Sequence, residues 1–417
     1  MDLLITPVPL FDKEMSVEAY YFRLQKGNDI IHASRATGIL DGAMNSPAFE
    51  MLNAIGLEAF TMGKPIFVPV TNYMLLAGLE RQCSQPPDKV IFLLDGEASV
   101  DEPYINAMTR IKGLGYRFGI QKITNAEVYA PILKLCDYIF LDHRIFDHAE
   151  QLRLRFDIVK MYRHLSIVFT HVHTMDIFQV IKGKYAGLFE GQFYRMPITK
   201  GPHAAAPLQT NLIQLLNSVR DEHFEFEDVA KIIQRDTALT ISLLRLVNSP
   251  AIGAREKIKT ISHAVTMLGQ QEVRKWVTTA VSKMLGADKP AEITRLSLIR
   301  AKMCEALAPK FNMRAEAGGL FLMGLFSVLD AILERPMEEA LGMVLVSDAI
   351  REALVEQKGP YYPVYQFILQ YEGASWNAVS RTLIVRDIAA GDVYSAYTEA
   401  LCWYRNLIEG QAEEEAE

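Results

Sequence analysis

Two histidines and an aspartate are the residues of the first half of the chain whose spacing could support chemistry. His171 and His173 are two residues apart, which would place both side chains on one face of a strand, and Asp142 ends the preceding predicted strand. Two imidazoles and a carboxylate can bind a transition metal, and Glu190 near the next predicted strand could add an oxygen. Because the spacing compels no fourth ligand, we favour ordinary hydrogen bonds for these residues and predict no bound metal and no cofactor.

Short apolar segments rich in β-branched and aromatic residues alternate with helical patterns up to about residue 195. Continuous apolar strands interleaved with helices indicate parallel βα units whose sheet is covered on both faces. Seven units at a spacing of about 25 residues favour a closed, TIM-like (β/α) barrel, in which functional residues gather at the carboxyl ends of the strands. The predicted strands are 3–11, 65–70, 90–96, 117–123, 137–143, 166–172 and 188–194.

Helical patterns replace the strands after a connector that contains three prolines and a glycine. Asp236 can cap a helix that the sequence Asn248-Ser249-Pro250 ends. Gly269 is well placed to cap the C-terminus of the next helix. The predicted divisions are a barrel at 1–195, a linker at 196–208, an all-α domain at 209–408 and an acidic, disordered tail at 409–417.

Composition and charge exclude several classes of function. Half of the residues are hydrophobic and 22% are charged, as in a globular protein. The net charge of −7 argues against a nucleic-acid partner, because affinity for a phosphate backbone needs clustered Lys and Arg. The four cysteines have no CxxC spacing, the N-terminus lacks a signal-peptide pattern, and the longest apolar run has thirteen residues against about 20 for a membrane span. We therefore expect a cytoplasmic protein without membrane insertion.

Four segments of the first half resemble, in order and spacing, an EAL domain, the barrel that hydrolyses cyclic di-GMP: PVPLFDKEMSVEAYYF, IKGLGYRFGIQKI, CDYIFLDHRIF and LFEGQFYRMPI. The resemblance implies two metal ions held by carboxylates at strand ends. Of that ligand set only the aspartate that matches Asp142 is kept, so we predict no hydrolysis. Phosphate-facing Arg and Lys are sparse at the motif positions, so we also predict no binding of cyclic di-GMP. The other motif positions fall on Tyr21 (the signature glutamate), Gln25, Pro69, Leu93, Gln121-Lys122, Phe140, Thr170, His173 and Glu190.

The helical half resembles an HDOD domain, a signalling module related to the HD phosphohydrolases. Ser327-Val328 occupies the position of the His-Asp metal pair of those hydrolases, so we expect a structural hydroxyl at Ser327. The residues that match the HDOD pattern are Asp236, Ala238, Leu239, Leu243, Leu244, Asn248, Ser249, Ile261, Ala264, Leu268 and Gly269, with Pro250 following the first group.

The whole chain thus resembles the two-domain EAL–HDOD signalling proteins of bacteria, which implies a link to cyclic di-GMP, motility or biofilm pathways. We predict a non-catalytic regulatory protein whose partners are other signalling proteins or a second copy of the chain, and we hypothesise that they meet the segment Asn248–Ala254. Two alternatives stay open. One is residual hydrolysis of cyclic di-GMP with Asp142, His171, His173 and Glu190 as substituted ligands, and the other is a receptor that binds the nucleotide without turnover.

Overall fold

A closed barrel forms the first part of the chain. A computed structural model gives the structure of the protein over residues 3–26, 47–96, 98–123, 125–144, 160–195, 207–219, 224–234, 237–248, 258, 260–285, 291–344 and 346–415. Within these residues the barrel strands are β1 (Leu3–Phe11), β2 (Val17–Lys26), β3 (Ile66–Pro69), β4 (Val90–Leu94), β5 (Arg117–Ile120), β6 (Tyr138–Asp142), β7 (Ser166–Thr170) and β8 (Leu188–Phe189). β1 pairs antiparallel with β2 and β8, and the other neighbours are parallel. The predicted fold class, a (β/α) barrel followed by a helical part, is confirmed.

Strand β2 is not among the predicted strands, which otherwise correspond to β1 and β3–β8. Its sequence is not a continuous apolar run, because Glu18 and Arg23 interrupt it. Alternation along the strand instead buries Ala19 and Tyr21 inside the barrel, while Glu18 is exposed and pairs with Lys64 at 3.6 Å.

Apolar side chains fill the barrel interior. The ring of Tyr21 lies edge-on to that of Phe140, with 5.7 Å between the centroids, and Phe140 is edge-on to Phe67 at 5.1 Å. Such contacts stabilise a pair of rings by about 0.5–1.5 kcal/mol beyond the burial of their area. The buried members of this interior cluster are Leu10, Ala19, Tyr21, Phe67, Ile91, Leu93, Phe140 and Val168.

Helices on the loops after the strands begin at side-chain caps. Thr71 accepts the N–H of Met74 at 3.2 Å, and Asp101 accepts the N–H of Tyr104 at 2.9 Å. These caps fix where each helix leaves the barrel rim. The helices of this region are α1 (Pro47–Ile55), α2 (Leu57–Thr61), α3 (Asn72–Leu76), α4 (Glu102–Gly113), α5 (Ala130–Leu133) and α6 (Met175–Lys182).

From Gln366 onward, the C-terminal helices belong to the same compact unit as the barrel. They are α16 (Tyr362–Glu372), α17 (Trp376–Arg386) and α18 (Ala390–Glu415), and the unit comprises Met1–Met196, Ala306–Arg314 and Gln366–Glu417. The hydroxyl of Tyr371 donates to the carbonyl of Ile5 on β1 at 2.7 Å, and α18 lies against β1 and α2. This grouping differs from the predicted all-α domain at 209–408, because the last helices pack on a strand. Helix α18 also includes most of the segment 409–417 that was predicted as a disordered tail.

The second compact unit, Pro197–Glu305 and Ala315–Tyr365, is helical. Within Ile261–Leu285 the backbone of Gly269 has φ 76° and ψ 165°, a conformation that favours glycine and interrupts the helix. No described helix is both long and apolar enough to cross a membrane. The remaining helices are α7 (Pro207–Ser218), α8 (Phe226–Ile233), α9 (Thr237–Asn248), α10 (Ile261–Leu285), α11 (Ala291–Leu307), α12 (Ala317–Phe326), α13 (Leu329–Leu333), α14 (Met337–Met343) and α15 (Asp348–Arg351).

Candidate functional site at the carboxyl rim of the barrel

Five charged or polar residues meet where the parallel strands end. Arg23 lies in the last part of β2, Asp142 is the last residue of β6, Arg144 follows it, and His171 and Glu190 come directly after β7 and β8. Because parallel strands end at the same edge, the fold brings these residues to one rim although 167 positions separate Arg23 from Glu190. We call these five residues the rim network.

Hydrogen bonds and ion pairs link the five residues of the rim network in a continuous series. Arg23 Nη2 lies 3.2 Å from Glu190 Oε1, and Glu190 Oε2 accepts the backbone N–H of His171 at 2.9 Å. The Nδ1 atom of His171 lies 3.1 Å from Asp142 Oδ2. Arg144 donates to both carboxylate oxygens of Asp142, with Nη2 2.7 Å from Oδ2 and Nε 3.1 Å from Oδ1. Both carboxylates are therefore already bound to guanidinium groups.

The predicted position of His171 and His173 on one strand face is wrong. Strand β7 ends at Thr170, and His171 has a φ of 63°, so the chain leaves the strand at this residue. The two imidazole rings are nevertheless close, with 5.9 Å between their centroids and nearly perpendicular planes. His173 is exposed, while His171 is half-buried and also lies 3.1 Å from the Thr170 hydroxyl. The structure thus brings His171 together with Asp142, and leaves His173 at the surface.

The surroundings of the rim network shift the pKa values of its members. Burial favours the neutral carboxyl of Asp142, but the hydrogen bonds from Arg144 outweigh burial and hold the pKa of Asp142 below its usual value. Burial lowers the pKa of His171, and the charge of Asp142 only partly opposes this effect. Near neutral pH Asp142 is therefore a carboxylate and His171 a neutral imidazole.

Tyr21, which we predict to match the signature glutamate of the EAL motif, contacts Arg23 of the network. Its hydroxyl accepts a hydrogen bond from Arg23 Nε at 2.6 Å, and its ring belongs to the apolar interior cluster. Burial, followed by the charge of Glu190, raises the pKa of Tyr21 above its ordinary value, so the phenol stays neutral. A neutral phenol is a poor ligand for a hard divalent cation, which prefers carboxylate oxygens.

These residues do not fit a two-metal centre. Leu93 and Phe140, which the resemblance matches to a glutamate and a lysine of the EAL motifs, pack with Tyr21 inside the barrel. Among the residues that the structure describes, no three His, Cys, Asp or Glu side chains are arranged to hold a metal ion. The oxygens of Asp142 and Glu190 that could serve as ligands are paired with arginines instead.

Two arginines of the site were missed in the sequence. Arg23 has the parity of Tyr21 along β2, so alternation alone would have placed it on the inner face. Arg144 follows Asp142 by two residues and could have been recognised as a local partner of its carboxylate. The pairing of Arg23 with Glu190 has no local signal, because it depends on closure of the barrel.

In the helical unit, Ser327 directly follows α12 and is buried. Its hydroxyl donates to the carbonyl of Gly324 at 2.6 Å and accepts from Arg300 Nη1 at 2.9 Å. Arg300 itself is only 3% exposed, so a buried cation contacts the Ser327 hydroxyl. This arrangement agrees with a structural role for the Ser327 hydroxyl. The residue does not lie inside the helix, however, but at its C-terminal cap.

Several residues of the predicted signature cannot be placed. Asp236, Ser249 and Pro250 lie outside the described residues, as does most of the segment Asn248–Ala254. Asn248 is the last residue of α9, and only its backbone position is described.

Comparison with known proteins identifies the helical part. Residues 206–337 match the family model of the HDOD domain. The second half of the chain contains an HDOD domain. The matched residues begin at the start of α7 and include the kink at Gly269 and the buried Ser327.

Two curated relatives extend this similarity. The chain is 26% identical to the Bacillus subtilis protein named Uncharacterized protein YuxH, over 99% of this chain and 100% of that one. It is 29% identical over 238 residues to the protein named Cyclic di-GMP phosphodiesterase CdgJ of Vibrio cholerae, a match that spans 57% of this chain and 55% of the relative. The match to CdgJ therefore covers only about half of the length of either protein.

Solved EAL proteins are also similar to part of the chain. A standalone EAL protein of Vibrio cholerae with bound cyclic di-GMP is 15% identical, with a TM-score of 0.34 and coverage of 46% of this chain and 90% of that chain. An EAL domain protein of Listeria monocytogenes is 13% identical, with a TM-score of 0.35 and coverage of 46% and 87%.

Proposed function

We propose that this chain is a non-catalytic regulatory protein of cyclic di-GMP signalling, which acts by binding other proteins. The observation that carries the proposal is the interior cluster. The resemblance matches Tyr21 and Leu93 to metal-binding glutamates and Phe140 to a motif lysine, and all three side chains pack in the apolar interior cluster. Removing a ligand from a metal site can be compensated by a nearby carboxylate, but filling the site with packed rings and a leucine leaves no space for the ion.

Electrostatic pairing at the rim supports the same conclusion. A catalytic cation would have to displace Arg144 from Asp142 and Arg23 from Glu190, and each displaced guanidinium would remain close to the ion as a like charge. The nucleotide's phosphates meet a similar obstacle, because both guanidinium groups already bind carboxylates. We therefore expect neither hydrolysis nor binding of cyclic di-GMP.

Hydrolysis is tested by incubating the purified full chain with cyclic di-GMP and magnesium or manganese, beside an active EAL phosphodiesterase. We expect no linear dinucleotide above the level of a protein-free sample. Formation of the linear product at a rate that Asp142→Ala abolishes would overturn the non-catalytic proposal. Arg144→Ala serves as the matched control, because it frees the Asp142 carboxylate without removing it.

Residual hydrolysis is the second candidate function. It is favoured by the similarity to the protein named Cyclic di-GMP phosphodiesterase CdgJ and by the position of Asp142 beside His171. The same assay separates the two candidates. Saturable heat in titration calorimetry with micromolar cyclic di-GMP, together with no linear product in the assay, would instead indicate a receptor without turnover.

The HDOD domain supplies the proposed contact with partner proteins, at the segment Asn248–Ala254. Its sequence, NSPAIGA, combines proline and glycine between two helical patterns, which is typical of an exposed loop. Affinity capture with mass spectrometry of the wild type and of a Pro250→Ala/Ile252→Ser variant tests this assignment. Loss of specific partners in the variant is expected, and an unchanged set of partners would count against this segment.

A further inference from the structure

Three neighbouring loops at the barrel rim expose apolar side chains. Tyr73 and Leu76 lie on α3 after β3, Val100 lies after β4, and Val128 lies after β5. All four are exposed, and Tyr73 retains 61% of its accessible surface. Single exposed apolar residues are ordinary, but a group on adjacent loops is typical of a binding surface. We call these four residues the rim surface.

Hydrogen bonds hold the three loops side by side. The backbone N–H of Ser99, next to Val100, donates to the side chain of Asn72 at 3.2 Å. The hydroxyl of Tyr129, next to Val128, donates to the carbonyl of Gly96 on the β4 loop. The rim surface is therefore a fixed arrangement, and its binding would require little ordering of loops.

Carboxylates border the rim surface. Glu102 begins α4 just after Val100, and Glu127 directly precedes Val128. Both side chains are exposed, and neither forms an ion pair within the described part of the chain. A partner for this surface should therefore combine apolar side chains with a basic group.

The same compact unit carries a second surface with that chemistry. On α17, Arg381, Ile384 and Val385 follow one another at helical spacing and are exposed, while Val379 and Leu383 on the opposite side are buried. Val385 retains 77% of its accessible surface. Arg381 forms no ion pair with any described residue. We call Arg381, Ile384 and Val385 the helix surface.

We infer that the rim surface of one copy of the chain binds the helix surface of a second copy. Apolar side chains would meet apolar side chains, and Arg381 would face the carboxylates Glu102 and Glu127. Two rim surfaces facing each other would instead bring those carboxylates together, and two helix surfaces would bring two arginines together. The contact is therefore heterologous, and each copy keeps one free rim surface and one free helix surface for further association into a ring or an open chain.

This assembly goes beyond the proposed function, and a monomeric protein would leave the expected absence of hydrolysis untouched. Analytical ultracentrifugation of the full chain is the primary measurement. We expect species heavier than the 47.0 kDa monomer whose fraction grows with protein concentration. A monomer at every concentration up to that of a near-saturated solution would overturn the inference.

Two variants probe the surfaces separately. Tyr73→Ser/Leu76→Ser changes the rim surface, and Ile384→Ser/Val385→Ser changes the helix surface. Because each loses two apolar contacts, we expect each to weaken association by at least about tenfold. Val180→Ser, on the exposed side of α6 and outside both surfaces, is the matched control and should associate like the wild type. Unchanged association in either double variant would overturn the inference.

Mixing the two double variants distinguishes a heterologous contact from a symmetric one. The rim variant keeps an intact helix surface, and the helix variant keeps an intact rim surface, so an equimolar mixture should form dimers that neither variant forms alone. Failure of the mixture to associate would exclude the proposed pairing.

Charge reversal gives an independent test. Arg381→Glu alone should weaken association, as should Glu102→Lys/Glu127→Lys alone, and the combined variant should regain at least part of the loss. A combined variant that associates more weakly than both parents would show that these charges do not face each other.

Discussion

Replacing Tyr371 by phenylalanine should destabilise the barrel, although this residue lies near the end of the chain. The reason is the edge of β1. Strand β1 pairs with β2 along its length, but with β8 only at Phe11. On the remaining edge, Ile5 pairs with no strand among the residues that the structure describes. Its carbonyl accepts the Tyr371 hydroxyl at 2.7 Å, and its N–H lies 3.4 Å from the same oxygen. Both residues are fully buried.

The expected loss in free energy of unfolding follows from the buried carbonyl that the substitution leaves without a donor. Burial raises the pKa of Tyr371 well above its ordinary value, so the hydroxyl is protonated and donates at any ordinary pH. Removing it leaves the buried Ile5 carbonyl without this donor, which costs about 1–3 kcal/mol. The N–H bond at 3.4 Å is long and adds little. The ring contacts of Tyr371 with Trp376 and Tyr397 remain in the phenylalanine variant, so the hydrogen bond alone is tested.

Thermal unfolding followed by circular dichroism measures the effect. For a cooperative unit of this size, a loss of about 2 kcal/mol lowers Tm by about 4–8 °C. Tyr73→Phe, an exposed hydroxyl in the same unit, is the control and should leave Tm unchanged. A Tm of Tyr371→Phe equal to that of Tyr73→Phe would refute the idea that the C-terminal helices complete the edge of β1.

Three further outcomes are expected. Tyr21→Glu should lower Tm and confer no manganese-dependent hydrolysis, because the carboxylate would be buried among apolar side chains; restored hydrolysis in the standard assay would contradict this. Ser327→Ala should cost about 2 kcal/mol in denaturant unfolding, because it removes one partner of the buried Arg300, and Ser327→Thr should lose less. Burial lowers the pKa of His171 in the folded state. The stability contributed by the neutral imidazole is therefore fully present above the unfolded pKa of about 6.5. It is lost as the pH falls through the lower pKa of the folded state. The decrease in Tm between pH 7.5 and 5.5 should therefore be smaller in His171→Gln, and an equal decrease would show that this histidine does not contribute.

The barrel could be predicted because its strands are long apolar runs with a regular spacing. The prediction from apolar runs missed β2, because a polar residue lies on the inner face of this barrel strand. β2 carries Arg23 on its inner face near the rim, where Glu190 and Tyr21 bind its guanidinium group. A single sequence shows the arginine, but it does not show that Glu190, 167 positions later, becomes its partner when the barrel closes. The end of β7 was misplaced for a similar reason, because the left-handed φ of His171 has no signature in a histidine.

The position of the last helices could not be predicted from periodicity. An amphipathic helix reveals which of its faces is buried, but not which core it faces. Tyr371 illustrates the limit, because its buried hydroxyl requires an acceptor and the sequence does not say that the acceptor is 366 residues away on β1. The same limit applies to the HDOD domain. The sequence does not show that the buried Arg300 donates a hydrogen bond to the hydroxyl of Ser327, 27 residues away.

The charges of the rim network balance one another. A site that holds two divalent cations needs an excess of carboxylates, and these repel one another once the ions are gone. In the rim network, Asp142 is balanced by Arg144 and Glu190 by Arg23, while the lowered pKa keeps His171 neutral. The network is thus neutral without any ion, and its hydrogen bonds hold the ends of β2, β6, β7 and β8 together. The rim is therefore held together by its own side chains, which supports the proposed partner-binding role.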